Sequence, residues 1–312
     1  MAAIITEKFR LNNAKQFIED ITQSSSVAYS FIGRGHSWTD DATPPTPVDS
    51  PNDEFDAYRN MVAMKKISTS DISHAIVRRD WTSGTTYDEY RHNYSSANTA
   101  NSGATTLYSS LFYVVTDDYN VYKCLNNDGN TASTVKPDHT TLSTPTESDG
   151  YQWKFMYSIS ASDVIKFVTN DFVPVKTLGA KLAVAGGVDT GSQDGRLGDA
   201  ATDDGSAQWD VENGAVDGAL QRVRIKAAGS GYTNATTANI TIRGDGSGGV
   251  ATVVTSGAAV TGVTITTAGS GYTTAFIANE DIPGFDNADQ AADGTNASAN
   301  IEFIIQPKNG HG

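Results

Sequence analysis

Hydrophobic and polar residues alternate along two short runs in the second half of the chain, at residues 223–226 and 263–266. Alternation places the Val and Ile side chains of each run on one face of a β-strand. The same hexapeptide, AGSGYT, follows both runs, at residues 228–233 and 268–273, and its Gly-Ser-Gly centre suits a turn that requires positive φ. A repeat on this scale predicts two copies of one small β unit.

The first 66 residues combine two strand patterns with two helical patterns. Alternation predicts short strands over residues 1–11 and 27–33. A capping pattern near residue 13, followed by apolar residues at helical spacing, predicts a first helix. A Ser-Pro dipeptide at residues 50–51 is a favourable helix start and predicts a longer helix over residues 52–66.

Residues 67–180 are predicted to be mostly β, because β-branched and aromatic residues are concentrated there. Two polar segments rich in Thr and Ser interrupt the strand patterns, at residues 82–106 and 129–148. Loops of this length are commonly binding or interface elements, so we expect residues 82–106 to be extended and to contact another chain. The predicted strands of this part are residues 75–77, 111–116, 121–125, 151–159 and 171–175.

The composition changes near residue 178, where aromatic residues become rare and Gly, Ala, Asp and Thr become frequent. This change predicts a first domain at residues 1–178, a flexible acidic linker at 179–206 and a small glycine-rich β domain at 207–312. We expect the last residues to be either a solvated tail or the start of a longer C-terminal region. The further strands predicted here are residues 239–243, 250–255, 260–267 and 301–305.

Charge and composition narrow the classes of partner. The net charge is −14, and both halves of the chain are acidic, so neither offers the basic surface that phosphate neutralisation requires. We therefore expect no nucleic acid and no anionic membrane as a partner. The single cysteine, Cys124, excludes an intrachain disulfide and favours folding in a reducing cytoplasm.

No group of residues has the spacing of a catalytic or metal site. None of the five histidines lies at a metal-ligand spacing from another, and Cys124 has no Cys or His neighbour. Residues 244–249 resemble part of a calcium loop, but they contain one Asp, and a glycine-rich hairpin turn explains them. We expect the pairs of adjacent acidic residues at 40–41, 117–118, 203–204 and 280–281 to be solvated carboxylates in turns. We therefore predict no catalytic residue, no cofactor, no metal and no small-molecule substrate.

The most unusual cluster is the run Arg78-Arg79-Asp80-Trp81. Arginine and tryptophan are enriched at the centres of protein interfaces, so the run is a candidate docking surface. A local ion pair that orders the following loop explains the same residues equally well. Both interpretations stay open at this point.

Seven short segments then occur in the order of a known family. They are ITEKFR at 5–10, FIGR at 31–34 with Trp38, PPTPVDS at 44–50, VRRDW at 77–81, VYKCL at 121–125, DGYQWK at 149–154 and NDFVPV at 170–175. Over residues 4–175 the chain resembles the baseplate wedge subunit of contractile-tailed bacteriophages, the family often called gene product eight. The glycine-rich region lies outside this resemblance and is similar to modules of phage tail and fibre proteins.

The resemblance implies a non-enzymatic β-sandwich protein with short helices in its loops. We therefore expect a mainly β chain, with a β-sandwich N-terminal domain followed by the glycine-rich β-repeat domain. The resemblance also implies a homodimer that binds the other baseplate wedge proteins, assembles in the host bacterial cytoplasm and resides in the virion tail. The candidate interface or structural anchors are Arg34, Trp38, Arg78, Arg79, Asp80, Trp81, Tyr87, Tyr90 and Trp153.

Two other functions compete with structural assembly. Tyr232 and Tyr272 of the repeats are candidate platforms for a host surface glycan, although packing in the core of the repeat domain explains them more simply. A cell-wall hydrolase requires a carboxylic acid of raised pKa near a second carboxylate, and no spacing in the chain suggests such a pair.

Overall fold

The computed structural model describes residues 7–22, 27–33, 39–40, 42–44, 46, 50–175, 205–234, 236–285, 297–307 and 310–311. These residues are mainly β, as the sequence predicts, and they form small sheets of two or three strands joined by short helices. The arrangement of the sheets as a β-sandwich stays a prediction.

The helices and strands are numbered in chain order. The helices are α1 (Glu7–Thr22), α2 (Pro51–Arg59), α3 (Ala161–Phe167) and α4 (Ala207–Asn213). The first seven strands are β1 (Tyr29–Gly33), β2 (Met61–Lys66), β3 (Ala75–Val77), β4 (Tyr113–Val115), β5 (Asn120–Asn127), β6 (Tyr151–Ser158) and β7 (Phe172–Pro174). The others are β8 (Leu220–Ala227), β9 (Thr236–Thr241), β10 (Arg243–Gly244), β11 (Ser247–Ser256), β12 (Ala259–Ser270), β13 (Ala275–Phe276) and β14 (Asn300–Ile305).

The chain divides into two compact units. One contains residues Met1–Ile76 and Ala161–Val175, and the other contains Val77–Ser160 and Lys176–Gly312. This division differs from the predicted boundary at residue 178, which itself lies outside the described residues. Residues 77–160, before that boundary, fall in the same unit as the described residues after it, whereas residues 161–175 fall in the other unit.

In the first unit, two elements differ from the sequence prediction. The strand expected over residues 1–11 is wrong from Glu7 onward, where α1 begins, because the run from Glu7 to Leu11 consists largely of good helix formers. The helix expected over residues 52–66 ends at Arg59. Residues 61–66 instead form β2 and pair antiparallel with β1, so strand pairing overrides the local helical spacing.

The start of α2 follows the sequence prediction. Ser50 is the N-cap, its side-chain oxygen accepts a hydrogen bond from the backbone N–H of Asp53, and Pro51 occupies the first helical turn. This arrangement satisfies one of the backbone donors that a helix leaves without partners at its N-terminus.

The described residues of the second unit form two large hydrophobic clusters. One lies between β5, β6 and the loop before them, and includes Tyr87, Trp153 and Val211 of α4. The other lies in the glycine-rich region and includes Tyr232, Tyr272 and, from β11, Ala251 and Val253. A smaller cluster of Tyr90, Leu125 and Ile304 joins β5 to β14, so residues 77–160 and 297–305 share a buried contact.

Strand pairing in this unit is antiparallel throughout the described sheets. Strands β4, β5 and β6 form one sheet in that order, and β12, β11 and β9 form a second. Strands β8 and β14 pair with each other, with Phe303 opposite Val223. The alternating runs at residues 223–226 and 263–266 lie in β8 and β12, and an AGSGYT hexapeptide follows each of them.

Candidate functional site

The sequence-predicted anchors separate into three groups. Arg34 and Trp38 lie outside the described residues. Arg78, Arg79, Asp80 and Trp81 follow β3, and Tyr87, Tyr90 and Trp153 lie in the interior of the second unit.

Arg78 and Asp80 form an ion pair near the surface. The Arg78 Nε atom donates to both carboxylate oxygens of Asp80, at 2.8 and 3.1 Å. The hydrogen bond to Asp80 raises the pKa of the Arg78 guanidinium, with burial acting in the opposite direction. The local ion pair considered from the sequence is therefore present, while a docking role for the pair stays a prediction.

Arg79 points to a different neighbour. Its Nη1 donates to the backbone oxygen of Ser110, and its guanidinium lies 4.7 Å from the centroid of the Tyr113 ring. The Tyr113 hydroxyl in turn donates to the backbone oxygen of Val77 at 2.7 Å. These contacts tie the segment after β3 to β4 through a charge-assisted hydrogen bond and a cation–π contact.

Trp81 packs at the edge of the buried cluster around Trp153. Its indole Nε1 donates to the Ser133 hydroxyl at 3.1 Å, and its backbone N–H donates to the oxygen of Val115 at 2.9 Å. The Ser133 hydroxyl donates to Asp149, which also accepts hydrogen bonds from the backbone N–H groups of residues 134 and 135. Trp81 thus fixes the polar loop that precedes β6.

Tyr87, Tyr90 and Trp153 are almost fully buried. The Tyr87 and Trp153 rings meet edge to face with centroids 5.4 Å apart, and Tyr151 stacks on Trp153 at the same distance. Aromatic pairs of this geometry stabilise a core beyond the area they bury. These three side chains therefore pack within their own chain, and none of their rings is exposed for contact with a partner.

The loop prediction for residues 82–106 is wrong over residues 87–91, which are buried in this chain rather than held by another. The Asp88 carboxylate accepts hydrogen bonds from the backbone N–H groups of Ser102 and Leu111, at 3.0 and 2.7 Å. Because this carboxylate satisfies two donors, it fixes the loop onto the segment before β4.

Glu89 is the centre of a buried charge network that the sequence did not reveal. Its carboxylate is 2% exposed and accepts hydrogen bonds from Arg91 Nε, at 2.7 Å, and from Arg222 Nη1 on β8. On the same face of β8, Lys226 lies 3.1 Å from Glu302 of β14. Burial opposes ionisation of Glu302, but hydrogen bonds from Asn93 and Lys226 hold its pKa below the usual range. The network joins the loop to the β8–β14 sheet.

The first unit carries an exposed surface that we call the apolar face. It comprises Tyr29 and Phe31 of β1, Phe55 and Tyr58 of α2, and Val62 and Met64 of β2. Phe31 is paired with Met64 across the two strands, and its ring stacks on Tyr58 with centroids 6.4 Å apart. Phe31 is 42% exposed and Tyr58 is 65% exposed. Contiguous apolar surface on a soluble protein commonly marks an interaction site.

No sequence signal identified this apolar face. Alternating apolar residues in a strand predict that one face is buried, and the sequence does not tell whether the chain itself or a partner covers that face. Phe31 lies opposite Met64 because β2 pairs with β1, and its ring stacks on Tyr58 of α2, the helix that precedes β2.

The tyrosines of the repeats are buried rather than displayed. The Tyr272 hydroxyl donates to the backbone oxygen of Ile242 and accepts from the N–H of Gly249, at 3.2 and 3.1 Å. The Tyr232 hydroxyl accepts from the N–H of Ala299 at 2.7 Å. Neither ring is accessible for a sugar to stack on, so these two tyrosines do not support glycan binding.

The two repeats share the same local packing. A Cβ atom at Gly229 would lie 2.7 Å from the ring of Tyr232, and one at Gly269 would lie 2.8 Å from the ring of Tyr272. Both glycines have positive φ, 67° and 61°. Glycine is therefore required twice, because the backbone is left-handed and the ring of the tyrosine three residues later covers it.

Within the part of the chain that the structure describes, no three His, Cys, Asp or Glu side chains are grouped so that they could hold a metal ion. Over the same residues, no helix has both the length and the apolar character needed to cross a bilayer.

The comparisons with known proteins agree with the resemblance found in the sequence. Residues 3–144 match the family model Phage-Gp8, described as bacteriophage T4 Gp8. The match confirms the resemblance for this segment and ends before the last two of the seven sequence segments. A search of curated proteins found no match to the chain.

Proposed function

We propose, from the premise that residues 3–144 form a segment of the Gp8 family, that this chain is a structural subunit of a phage tail baseplate wedge. The family is that of a structural component of the T4 baseplate wedge. The chain acts by binding neighbouring subunits and catalyses no reaction. The observation that carries the binding part of this proposal is the exposed apolar face.

The composition of the apolar face suits a protein interface. Aromatic residues and methionine are enriched in protein–protein interfaces, and the apolar face consists of four aromatic residues, one valine and one methionine. The stacked pair of Phe31 and Tyr58 supplies rigid rings that lose little conformational entropy on binding. Burying such side chains against a partner removes apolar area from water, which favours association.

The partners are a second copy of the chain and the other baseplate wedge proteins. The net charge of −14 disfavours nucleic acid and anionic lipid as ligands. The chain is assembled in the cytoplasm of the host bacterium and resides in the tail of the virion. Its subunit contacts stabilise the folded state by mass action.

A double substitution tests this proposal. Phe31→Ser with Tyr58→Ser removes the stacked rings from the apolar face of the full chain, and sedimentation velocity then measures self-association. We expect the wild-type chain to sediment as a dimer and the variant to lose this association. Because both rings are exposed, the thermal unfolding temperature of the second unit should not change.

The matched control is Phe276→Ser with Tyr108→Ser. This pair removes the same two residue types at exposed positions of the second unit, where Phe276 is 50% exposed and Tyr108 is 58% exposed. The control should self-associate like the wild type. Equal loss in both double variants, or no loss with Phe31 and Tyr58 replaced, would contradict the role of the apolar face.

The assembly role has its own test. Intact-mass spectrometry of purified phage particles should detect the chain as a stoichiometric tail component. Its absence from tails, or turnover of a substrate by the purified chain that a single polar substitution abolishes, would reject the structural role itself.

A further inference from the structure

Three basic side chains, Lys123, Lys154 and His311, lie close together in the second unit. The Lys123 amine on β5 donates to the His311 ring at Nδ1, 3.3 Å away, and to the backbone oxygen of His311 at 3.2 Å. Lys154 is opposite Lys123 in the β5–β6 pairing and donates to the backbone oxygen of Leu142 at 2.7 Å. Among the described residues, no carboxylate bonds to either amine.

His311 is enclosed on several sides. Its Nε2 atom pairs with the Oε1 atom of Gln221 on β8 at 2.5 Å, and its ring meets the Tyr90 ring edge to face at 4.8 Å. The neighbouring Gly310 has φ of 76°, and a Cβ atom there would collide with the backbone N of Val216. The 310–311 segment is therefore seated between β5, β8 and the loop that carries Tyr90.

The partners of the imidazole select its neutral form. Nε2 faces the carbonyl oxygen of the Gln221 amide, which accepts a hydrogen bond, so this nitrogen carries the proton. Nδ1 faces the Lys123 amine and accepts from it. A second proton on the ring would place an N–H group against this amine and would add a positive charge to a cluster that already contains two lysines.

We propose that residues 310–311 form an acid-released clasp, in which neutral His311 joins β5, β8 and the Tyr90 loop, and acidification withdraws it. Among the described residues, the groups that contact His311 are Lys123, Tyr90 and Gln221, with Lys154 opposite Lys123, and none of these four supplies a negative charge at neutral pH. Burial and the two lysine amines act in the same direction and lower the pKa of His311 well below its usual value of 6.5.

Acidification should favour release of the 310–311 segment. Above pH 6.5 the ring is neutral in both the free and the seated segment, so the clasp is closed. As the pH falls below 6.5, the released segment gains a proton that the seated segment resists, so the equilibrium moves toward release. Release uncovers the Tyr90 ring and the Lys123 amine, at the contact between β5 and β14.

Two measurements on the full chain test the clasp. An NMR titration of the histidine ring protons, with His311 assigned by its loss in His311→Gln, should give a His311 midpoint below pH 6.5. Hydrogen exchange of a peptide that covers residues 300–311, corrected for the intrinsic pH dependence, should show loss of protection between pH 7.5 and pH 5. A His311 midpoint at or above 6.5, or unchanged protection, would overturn the proposal.

The variants separate this effect from general acid unfolding. His311→Gln keeps a hydrogen-bonding side chain but does not titrate, so the acid-induced loss of protection at residues 300–311 should disappear. Lys123→Met removes the amine that opposes the second proton, so the His311 midpoint should move up toward 6.5.

His92→Gln is the control, because His92 lies beside the measured peptide and accepts a hydrogen bond from the Ile305 N–H at 3.2 Å. This variant should keep the wild-type acid response at residues 306–311. The clasp would be contradicted if His92→Gln abolished that response or if His311→Gln left it intact.

Discussion

Glu89 and Arg222 lie 133 positions apart in the sequence and form a buried ion pair. Glu89 is in the polar loop after Trp81, whereas Arg222 is on the strand that leads into the first AGSGYT repeat. Glu89 is also contacted by Arg91, by Arg224 at 3.8 Å and by the Tyr94 hydroxyl, which donates to its backbone oxygen at 2.7 Å. This pair therefore joins the part of the chain that matches the family to the glycine-rich part that does not.

Glu89→Gln is expected to destabilise the second unit strongly. The substitution removes the negative charge from between Arg91 and Arg222, and breaking a buried pair by removing one partner costs about 3–5 kcal/mol. Urea unfolding followed by tryptophan fluorescence measures the loss. Asp117→Asn is the control, because Asp117 pairs with Lys136 on the surface and should leave the unfolding midpoint nearly unchanged. Similar small effects of both substitutions would show that the network contributes little.

Gly269→Ala is expected to destabilise the fold more than Gly257→Ala. Both glycines have positive φ, 61° and 59°, so each alanine carries the left-handed backbone cost of about 1–2 kcal/mol. Only at Gly269 would the new Cβ atom also lie 2.6 Å from the backbone N of Gly249, whereas nothing lies within 4 Å at Gly257. Overpacking adds about 1–3 kcal/mol. Equal unfolding free energies for the two variants would refute the requirement for space at the repeat corner.

The stability of the second unit is expected to rise between pH 7 and pH 10 because of Lys123. Burial lowers the pKa of this amine from 10.5 to about 7, with the Lys154 charge acting in the same direction. Between these values the unfolded chain binds the proton and the folded chain does not, so the free energy of unfolding increases with pH. The slope for one proton is at most about 1.4 kcal/mol per pH unit.

The measurement is a series of urea titrations at pH 6.5, 8 and 9.5. Lys123→Met should flatten the slope, since methionine fills a similar volume without titrating. Lys136→Met is the control, because hydrogen bonds to Asp117 and Asp118 raise the pKa of Lys136. Its contribution to the free energy of unfolding therefore does not increase with pH. A wild-type slope that Lys123→Met leaves intact would disprove the assignment.

Trp81→Ala and Arg78→Ala should have different effects on stability. Trp81 packs against the Trp153 cluster and donates to Ser133, so its truncation should cost about 3 kcal/mol. Arg78 is held by an ion pair near the surface, and its removal should change the melting temperature little. Differential scanning calorimetry of the two variants distinguishes these outcomes. If Arg78→Ala also abolishes self-association while the fold is intact, the docking interpretation of this residue is supported.

The sequence by itself determined the elements whose signals are local. Alternation and turn residues located β8, β12 and the two glycine corners, and Ser50 with Pro51 located the start of α2. Short segments that occur in the same order as in the family were also sufficient to identify the family that residues 3–144 match. These signals are readable because capping, strand alternation and positive φ depend on neighbours within a few residues.

The tertiary structure alone decided which surfaces meet. It placed residues 61–66 in a strand, buried Tyr87 and Tyr90 in their own chain, left Phe31 and Tyr58 exposed, and seated His311 beside Lys123. Each of these outcomes depends on a partner from a distant part of the chain. A periodic pattern predicts that a helix or strand has an apolar or a charged face. The free energy of covering that face depends on which neighbour packs against it.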